Sequence, residues 1–330
     1  MAKTYKVAVL GPVPRDHITT HAGAVVDRYG CGLNSVAALS SLMGGGGEVA
    51  LVTHVRQVDH GPILEILARF PAADTGHVTC DQDMGDVITL KHLDEERREE
   101  RQTAFMNPIV PEDLQGLLDA DAFICVPVTD FEIALETLAH IKTHSRGLVI
   151  FSAHGQTQAC TRSGERYPKF WIDRDRWLPH IDILQMNLEQ ARCSWYSKEY
   201  TPHQLQAMEF DSQLPLDEMV KLARHCLDRG VKAVYVTLSE AGCAVYFKND
   251  AGDVQENFVK AVPVEHVINT TGCVEAFAGD LAFGYLETGD FLKAARYANA
   301  MGAQRCTGSD IAVFKSLEET DRQIAKCYPP

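Results

Sequence analysis

The sequence predicts an α/β fold, a mainly parallel sheet with helices on both faces. Short apolar runs and helical stripes trade places along the chain, the pattern of strands joined through crossover helices. The apolar runs are continuous rather than alternating, as in strands buried on both sides. At 330 residues, 45% hydrophobic and 23% charged, the chain has the size and balance of one α/β core with a small attached lobe.

The elements follow in order. Lys6 to Gly11 is an apolar run stopped by Gly and Pro, a first buried strand. Leu33, Val36, Ala37, Ser40 and Met43 share one helical face from a start near Gly32, and four glycines, 44–47, end it. A strand over Glu48 to Thr53 precedes a helix over Ile63 to Phe70. Residues 78–105 change character: Val87-Ile88-Thr89-Leu90 leads into the charged run Asp94 to Arg101, which predicts exposed hairpin strands of a small lobe with a solvated tip. Alternation then returns with strand 122–126, helix 131–142, and strands 147–151 and 181–186. Leu216, Met219, Val220, Ala223 and Leu227 form a helical stripe ended by Gly230, followed by a strand over Ala233 to Leu238. A hairpin joins Ala244 to Phe247 and Val254 to Val259 through Asn249-Asp250-Ala251-Gly252. Glu275 to Leu286 is apolar nearly all round and predicts a buried helix.

Composition excludes several classes. Thirty-one basic against 45 acidic residues give a formal charge of -14, the wrong sign for a protein that neutralises nucleic-acid phosphates. No apolar run approaches the roughly 20 residues that span a bilayer, so no membrane partner is expected. Ten scattered cysteines without a C-x-x-C pair read as buried thiols in a reducing compartment, which predicts a cytoplasmic location.

The motifs G-x-x-x-x-G-K-[ST], H-E-x-x-H and the H-R-D loop are absent from the sequence. Gly30-Cys31-Gly32 begins a near dinucleotide fingerprint, but residues 12–29 separate it from the first strand, where the fingerprint requires a tight turn. His17 and His21 lie in a segment without helical periodicity, so their spacing does not make a metal pair, and no metal-ligating residue is assigned. The richest stretch is Asn269-Thr270-Thr271-Gly272-Cys273-Val274-Glu275. It runs from small residues into the start of a buried helix, where unpaired N–H groups make an anion site. Glu275 has two roles open to it there. It favours the positive end of the helix, an effect of about 0.3 to 1 kcal/mol, or it takes a proton from a hydroxyl attacking a phosphate.

Six segments, two of them already met, give the chain a wider likeness. Gly11 to Asp16, Gly30-x-Gly32-x-Asn34-x-x-Ala37, Asp59-x-Gly61, Thr237-Leu238-Ser239-Glu240-Ala241-Gly242, Asn269 to Gly279 and Ala298-Asn299-Ala300-x-Gly302-Ala303 occur in this order. On these residues the chain resembles the ribokinase-like (phosphofructokinase B type) sugar and nucleoside kinases over essentially its whole length. The resemblance implies a three-layer α/β/α fold in one domain, 1–330, with a β lid built from segments 12–30 and 78–105. It implies ATP with Mg²⁺ as phosphoryl donor and cofactor, and a sugar, sugar acid or nucleoside as acceptor. Asp16, Gly30, Gly32 and Asn34 would face the acceptor; Asn187, Thr237, Ser239, Gly242, Asn299 and Gly302 would face the nucleotide. Gly272, Cys273 and Val274 would form the anion hole, with Glu275 as base. A lid with an exposed edge also predicts a homodimer.

The chain departs from that family at its catalytic signature. Glu275 stands where the family has Asp, Cys273-Val274 where it has Ala-Gly, and Asn269 where it has the leading Asp. The N-x-x-E element that orders the family's magnesium shell reads Asn187-Leu188-Glu189-Gln190. Any residue except Pro donates a backbone N–H, so Cys273 and Val274 are compatible with an anion hole. Glu is longer than Asp by roughly 1 Å, and a misplacement of that size costs about 100-fold in rate. Two functions follow: a small-molecule kinase of a divergent kind, and a catalytically silent relative that binds a nucleotide or sugar as a regulator.

Overall fold

The computed structural model describes residues 3–19, 23–92, 98–195, 216–268 and 270–329. His21, residues 94–97 of the charged run, and Asn269 lie outside the described residues. The chain runs β1 (Lys6–Leu10), β2 (Arg15–Thr19), β3 (Val25–Tyr29), α1 (Gly32–Met43), β4 (Glu48–His54), α2 (Gln57–Leu67), β5 (Ala73–Asp74), β6 (Val78–Thr79), β7 (Val87–His92), β8 (Arg98–Ala104) and β9 (Ala122–Cys125). It continues through α3 (Leu135–His144), β10 (Leu148–Ser152), β11 (Gln158–Cys160), β12 (Arg166–Pro168), α4 (Arg174–Trp177), β13 (Ile183–Asn187), α5 (Leu188–Ser194) and α6 (Leu216–Leu227). The last elements are β14 (Ala233–Thr237), β15 (Gly242–Lys248), β16 (Val254–Lys260), α7 (Cys273–Thr288), α8 (Phe291–Arg305) and α9 (Leu317–Cys327).

The main sheet has the order β16-β15-β14-β13-β10-β9-β1-β4-β5, with β6 also paired to β4. Its pairs are parallel from β5 through β14, and the hairpin β15–β16 closes one side antiparallel. Side chains alternate between two cores. Val7, Val9, Leu51, Ile124, Ile150, Ile183 and Tyr235 pack with α1, α7 and α8. Ala8, Leu10, Phe123, Phe151, Leu184 and Val234 pack with α3, α6 and the indoles of Trp171 and Trp177. This is the three-layer arrangement that the alternating pattern predicts. It brings the C-terminal ends of the parallel strands and the starts of the following helices to one edge.

A second sheet, β3-β2-β7-β8, stands apart as the lid. Asp59 joins it to α2: its carboxylate accepts from Tyr29 Oη at 2.8 Å and Arg56 Nε at 2.6 Å, and Arg15 Nη1 lies 3.6 Å away. Residues 78–79 are not part of this lid; they extend the main sheet beside β4. The Asp59-x-Gly61 segment lies at the start of α2. That helix begins six residues before the expected Ile63, because Asp83 Oδ1 accepts from Gln57 N at 2.8 Å and caps it from a distant segment. Helix α3 begins four residues later than expected. Glu132 turns inward to accept from Val128 N at 2.5 Å and Thr129 Oγ1 at 2.8 Å, while Ile133 bridges to Ile109.

All ten cysteines are free thiols, but Cys80, Cys160, Cys273, Cys306 and Cys327 are partly exposed rather than buried. Among the described residues no helix is long and apolar enough to cross a membrane.

Candidate active site

Helices α1 and α7 start side by side and run in the same direction. Ser35 Oγ donates to the Glu275 carbonyl at 2.7 Å, and Gly279 rests on Ser35 and Leu39. At the shared N-terminal end, Gly272 takes φ +88° and lies so close to Asn34 that a Cβ would stand 2.5 Å from its amide atoms. Both the left-handed backbone and the approach of Asn34 require glycine. The start of α7 therefore packs directly on the start of α1, so two helix N-termini meet, and the Cys273 N–H donates to the Thr270 carbonyl at 3.3 Å.

Asn34 is fixed from behind. Arg305, at the end of α8, donates Nε to Asn34 Oδ1 at 3.0 Å and Nη1 to the Gly308 carbonyl at 2.8 Å. This bond sets the amide so that Nδ2 is the free-facing donor. A Cβ on Gly30 would stand 3.4 Å from Asp16 Oδ2 and 4.0 Å from Asn34 Nδ2, so a carboxylate acceptor and an amide donor meet over a bare backbone. Between them Cys31 holds φ +46°, a conformation that costs a non-glycine residue on the order of 1 kcal/mol or more, and its thiol lies 3.2 Å from the Val126 carbonyl. Strain of this kind is characteristic of sites that hold a ligand.

The acids here are kept from ionising easily. Burial, then the charges of Glu100 and Glu275, push Asp16 up to about 7, against the partial relief of Arg166 and Arg28. Burial also raises Glu275, with Arg305 and Arg166 acting the other way. Beneath them Asp86 is pushed up to about 6 by burial, and the fully buried Glu132 beside it is raised well above the ordinary carboxylate range. Arg166 sits amid these acids, donating Nη1 to Glu100 at 2.9 Å and Nη2 to the Val128 carbonyl at 3.0 Å.

The residues expected to face a donor come from the ends of β13 and β14, the turn into β15, and α8. Asn187 and Thr237 are register partners at the ends of β13 and β14, and Ser239, at φ +51°, and Gly242 shape the next turn. Gly302 of α8 faces the Cys273 carbonyl; a Cβ there would lie 3.8 Å away. Two of these residues are occupied with the fold itself. Asn299 Nδ2 donates to the carbonyls of Val259 and Lys260 at 3.3 and 3.1 Å and lies 3.3 Å from Tyr328 Oη. Asn187 and Gln190 close a capping box at the start of α5, through bonds of 2.8 and 2.9 Å.

Sequence reasoning did not find Arg305 or Arg166. Arg305 had a signal: a basic residue on the otherwise small and apolar face of α8. Arg166 had none, since the short hairpin β11–β12 carries no period.

Comparison with known proteins is consistent with this geometry. Residues 156–313 match the model of the pfkB family of carbohydrate kinases. No curated protein matches the chain by sequence. Among solved structures, Arabidopsis thaliana ribokinase complexed with ribose and ATP superposes with a TM-score of 0.71 at 15% identity, covering 98% of this chain and 99% of that one. A pyrophosphate-dependent kinase in the ribokinase family, complexed with a pyrophosphate analogue and myo-inositol, gives 0.69 at 14% identity, covering 96% and 99%. A Burkholderia thailandensis nucleoside kinase in complex with inosine gives 0.68 at 19% identity, covering 98% and 97%. The fold is therefore ribokinase-like over nearly the whole chain, and residues 156–313 carry the match to the pfkB family of carbohydrate kinases.

Proposed function

We propose that the protein is a small-molecule kinase that transfers a terminal phosphoryl group to a hydroxyl of a sugar, polyol or nucleoside. The observation that carries this is the meeting of the α1 and α7 N-termini, with Gly272 against Asn34 and Gly30 beside Asp16 and Asn34; on this reading Glu275 and the N–H groups of Gly272, Cys273 and Val274 act opposite Asp16 and Asn34. The Asp16 carboxylate accepts from acceptor hydroxyls and Asn34 Nδ2 donates to them. The attacking oxygen forms its bond to phosphorus as the bond to the leaving phosphate breaks, and its proton passes to Glu275, which burial makes more basic than an ordinary carboxylate. The N–H groups at the start of α7 hold the charge of the transferring group. Arg305 is a positioning residue, acting through Asn34.

ATP is the donor on this reading, bound along Thr237 to Gly242 and α8. A second donor, pyrophosphate, is favoured by the closure of Asn299 onto β16 and Tyr328, which ties up the amide that would face a base. Magnesium, when bound, neutralises phosphate oxygens. Of the Asn187-to-Gln190 segment, Asn187 and Gln190 are bonded to one another, so the exposed Glu189 is the carboxylate that would hold it, together with the donor's phosphates. The strand β3, with Val25 58% and Val26 39% exposed, is the lid edge on which a second copy would pair.

The test is phosphoryl transfer from ATP and from pyrophosphate, with and without Mg²⁺, to a panel of sugars, polyols and nucleosides. Transfer from either donor supports the kinase. Absence of transfer from both, in folded protein that still binds a nucleotide or sugar, favours the silent relative.

A further inference from the structure

Two of the ten cysteines meet at the N-terminal end of α7. Cys273 is the first residue of that helix and Cys306 caps the end of α8, with their Sγ atoms 3.0 Å apart. Both are free and both are partly exposed, whereas Cys31, Cys125, Cys193, Cys226 and Cys243 are buried. The backbone on either side is anchored. Cys306 N donates to the carbonyls of Gly302 and Ala303, its own carbonyl accepts from Ile268 N at 2.8 Å, and Gly302 lets α8 approach the Cys273 carbonyl. The segments bearing the two thiols are thus held against each other by main-chain packing as well as by side-chain rotamers.

Chemistry at the pair is asymmetric. The hydrogen bond from Cys273, then the charge of Arg305, bring Cys306 down to about 7 in spite of its burial, while that same bond pushes Cys273 up. The Cys306 sulfur, shifted toward the thiolate, therefore faces the Cys273 thiol at the N-terminal end of α7, next to the Arg305 guanidinium.

We propose that Cys273 and Cys306 form a dithiol site for oxidants of the hydroperoxide class, and that their disulfide closes the anion-binding start of α7. The Cys306 thiolate attacks one oxygen of hydrogen peroxide; the O–O bond breaks and the departing hydroxide takes a proton to leave as water. Cys273 sulfur then attacks the resulting sulfenic acid. The S–O bond breaks, and the hydroxyl leaves as a second water with the Cys273 proton. Two thiols and one peroxide give one disulfide and two waters, each sulfur losing one electron. Contraction from 3.0 Å to a bonded separation of about 2 Å pulls on the residue whose N–H belongs to the anion hole. Formation of the bond depends only on the two thiols; its effect on phosphoryl transfer rests on the kinase reading.

The test treats the full chain with one equivalent of hydrogen peroxide and maps the product by mass spectrometry. A protein lighter by two hydrogens, with peptides bearing Cys273 and Cys306 joined and released by dithiothreitol, is the expected result. In Cys273→Ser, Cys306 should remain a sulfenic acid trapped by a cyclic dione; in Cys306→Ser, no joined peptide should form. Pyrophosphate affinity, measured by calorimetry, should fall about 10-fold or more on oxidation, recover with dithiothreitol, and be unaffected by peroxide in Cys306→Ser. Oxidation without the joined peptide overturns the site, and a joined peptide with unchanged pyrophosphate affinity overturns the closure of α7. If the reduced protein binds no pyrophosphate at all, the closure claim fails with that donor, while the peptide map still decides the site.

Discussion

Asp16→Asn should make the protein more stable at pH 8 while leaving it little changed near pH 4. In the folded protein Asp16 holds its proton up to about 7, against 3.8 in the unfolded chain. Below 3.8 both states carry the proton and no penalty exists. Between about 4 and about 7 the unfolded chain releases the proton while the folded one retains it, so stability falls as pH rises, and above 7 the full difference is lost. At 1.36 kcal/mol per pH unit this is on the order of 4 kcal/mol, a magnitude consistent with a carboxylate 8% exposed and facing Glu100 and Glu275. Asparagine keeps the shape, removes the charge, and relieves Glu275 as well, so the variant reports the coupled group rather than Asp16 alone. The assay is the urea midpoint of both proteins from pH 4 to pH 8. The wild-type curve should drop relative to the variant across that window. Parallel curves would show that Asp16 is solvated and ionised throughout, and the packing of acids in the acceptor pocket would be refuted. Acceptor binding, which favours the ionised form through hydroxyl donors, should release protons at pH 6 and disappear in the variant.

Three other outcomes are expected. Gly272→Ala should cost about 2–4 kcal/mol, since it adds a clash with Asn34 to the left-handed backbone, whereas Gly289→Ala, at φ +63° with nothing near it, should cost only about 1 kcal/mol; equal losses would deny the close approach of α1 and α7. Asp59→Ala removes the partner of Tyr29, Arg15 and Arg56. Hydrogen exchange should then quicken in β2 and β3 and stay unchanged in β9 and β10, and uniform quickening would contradict a lid held locally. Val26→Lys should turn a dimer into a monomer in sedimentation experiments if the lid edge pairs; an unaltered sedimentation coefficient would place any dimer elsewhere.

How much the sequence reveals depends on where each element's determinants lie. Helix α1, helix α7 and the β15–β16 hairpin are legible because their apolar period and their stop signals are local. The start of α2 is not, since its cap comes from Asp83, and Pro62 within it argues for a break. Glu132 likewise hides the start of α3 by bonding to Val128 and Thr129 instead of joining the helix. At the site, Asp16, Gly30, Asn34, Gly272 and Glu275 are visible as motif residues, and the fold brings them together. The bond from Arg305 to Asn34 spans 271 positions, and no local pattern records it. The same holds for Cys273 and Cys306, visible singly and paired only by the packing of α7 on α8.

The central claim, that Glu275 takes the proton of an acceptor hydroxyl during phosphoryl transfer, is tested most directly by Glu275→Gln. Glutamine keeps length and volume and removes basicity, so single-turnover transfer from the donor that supports activity should fall by about 100-fold or more, with donor affinity little changed. Transfer at the wild-type rate in Glu275→Gln, or none in the wild type with any acceptor and either donor, would contradict it.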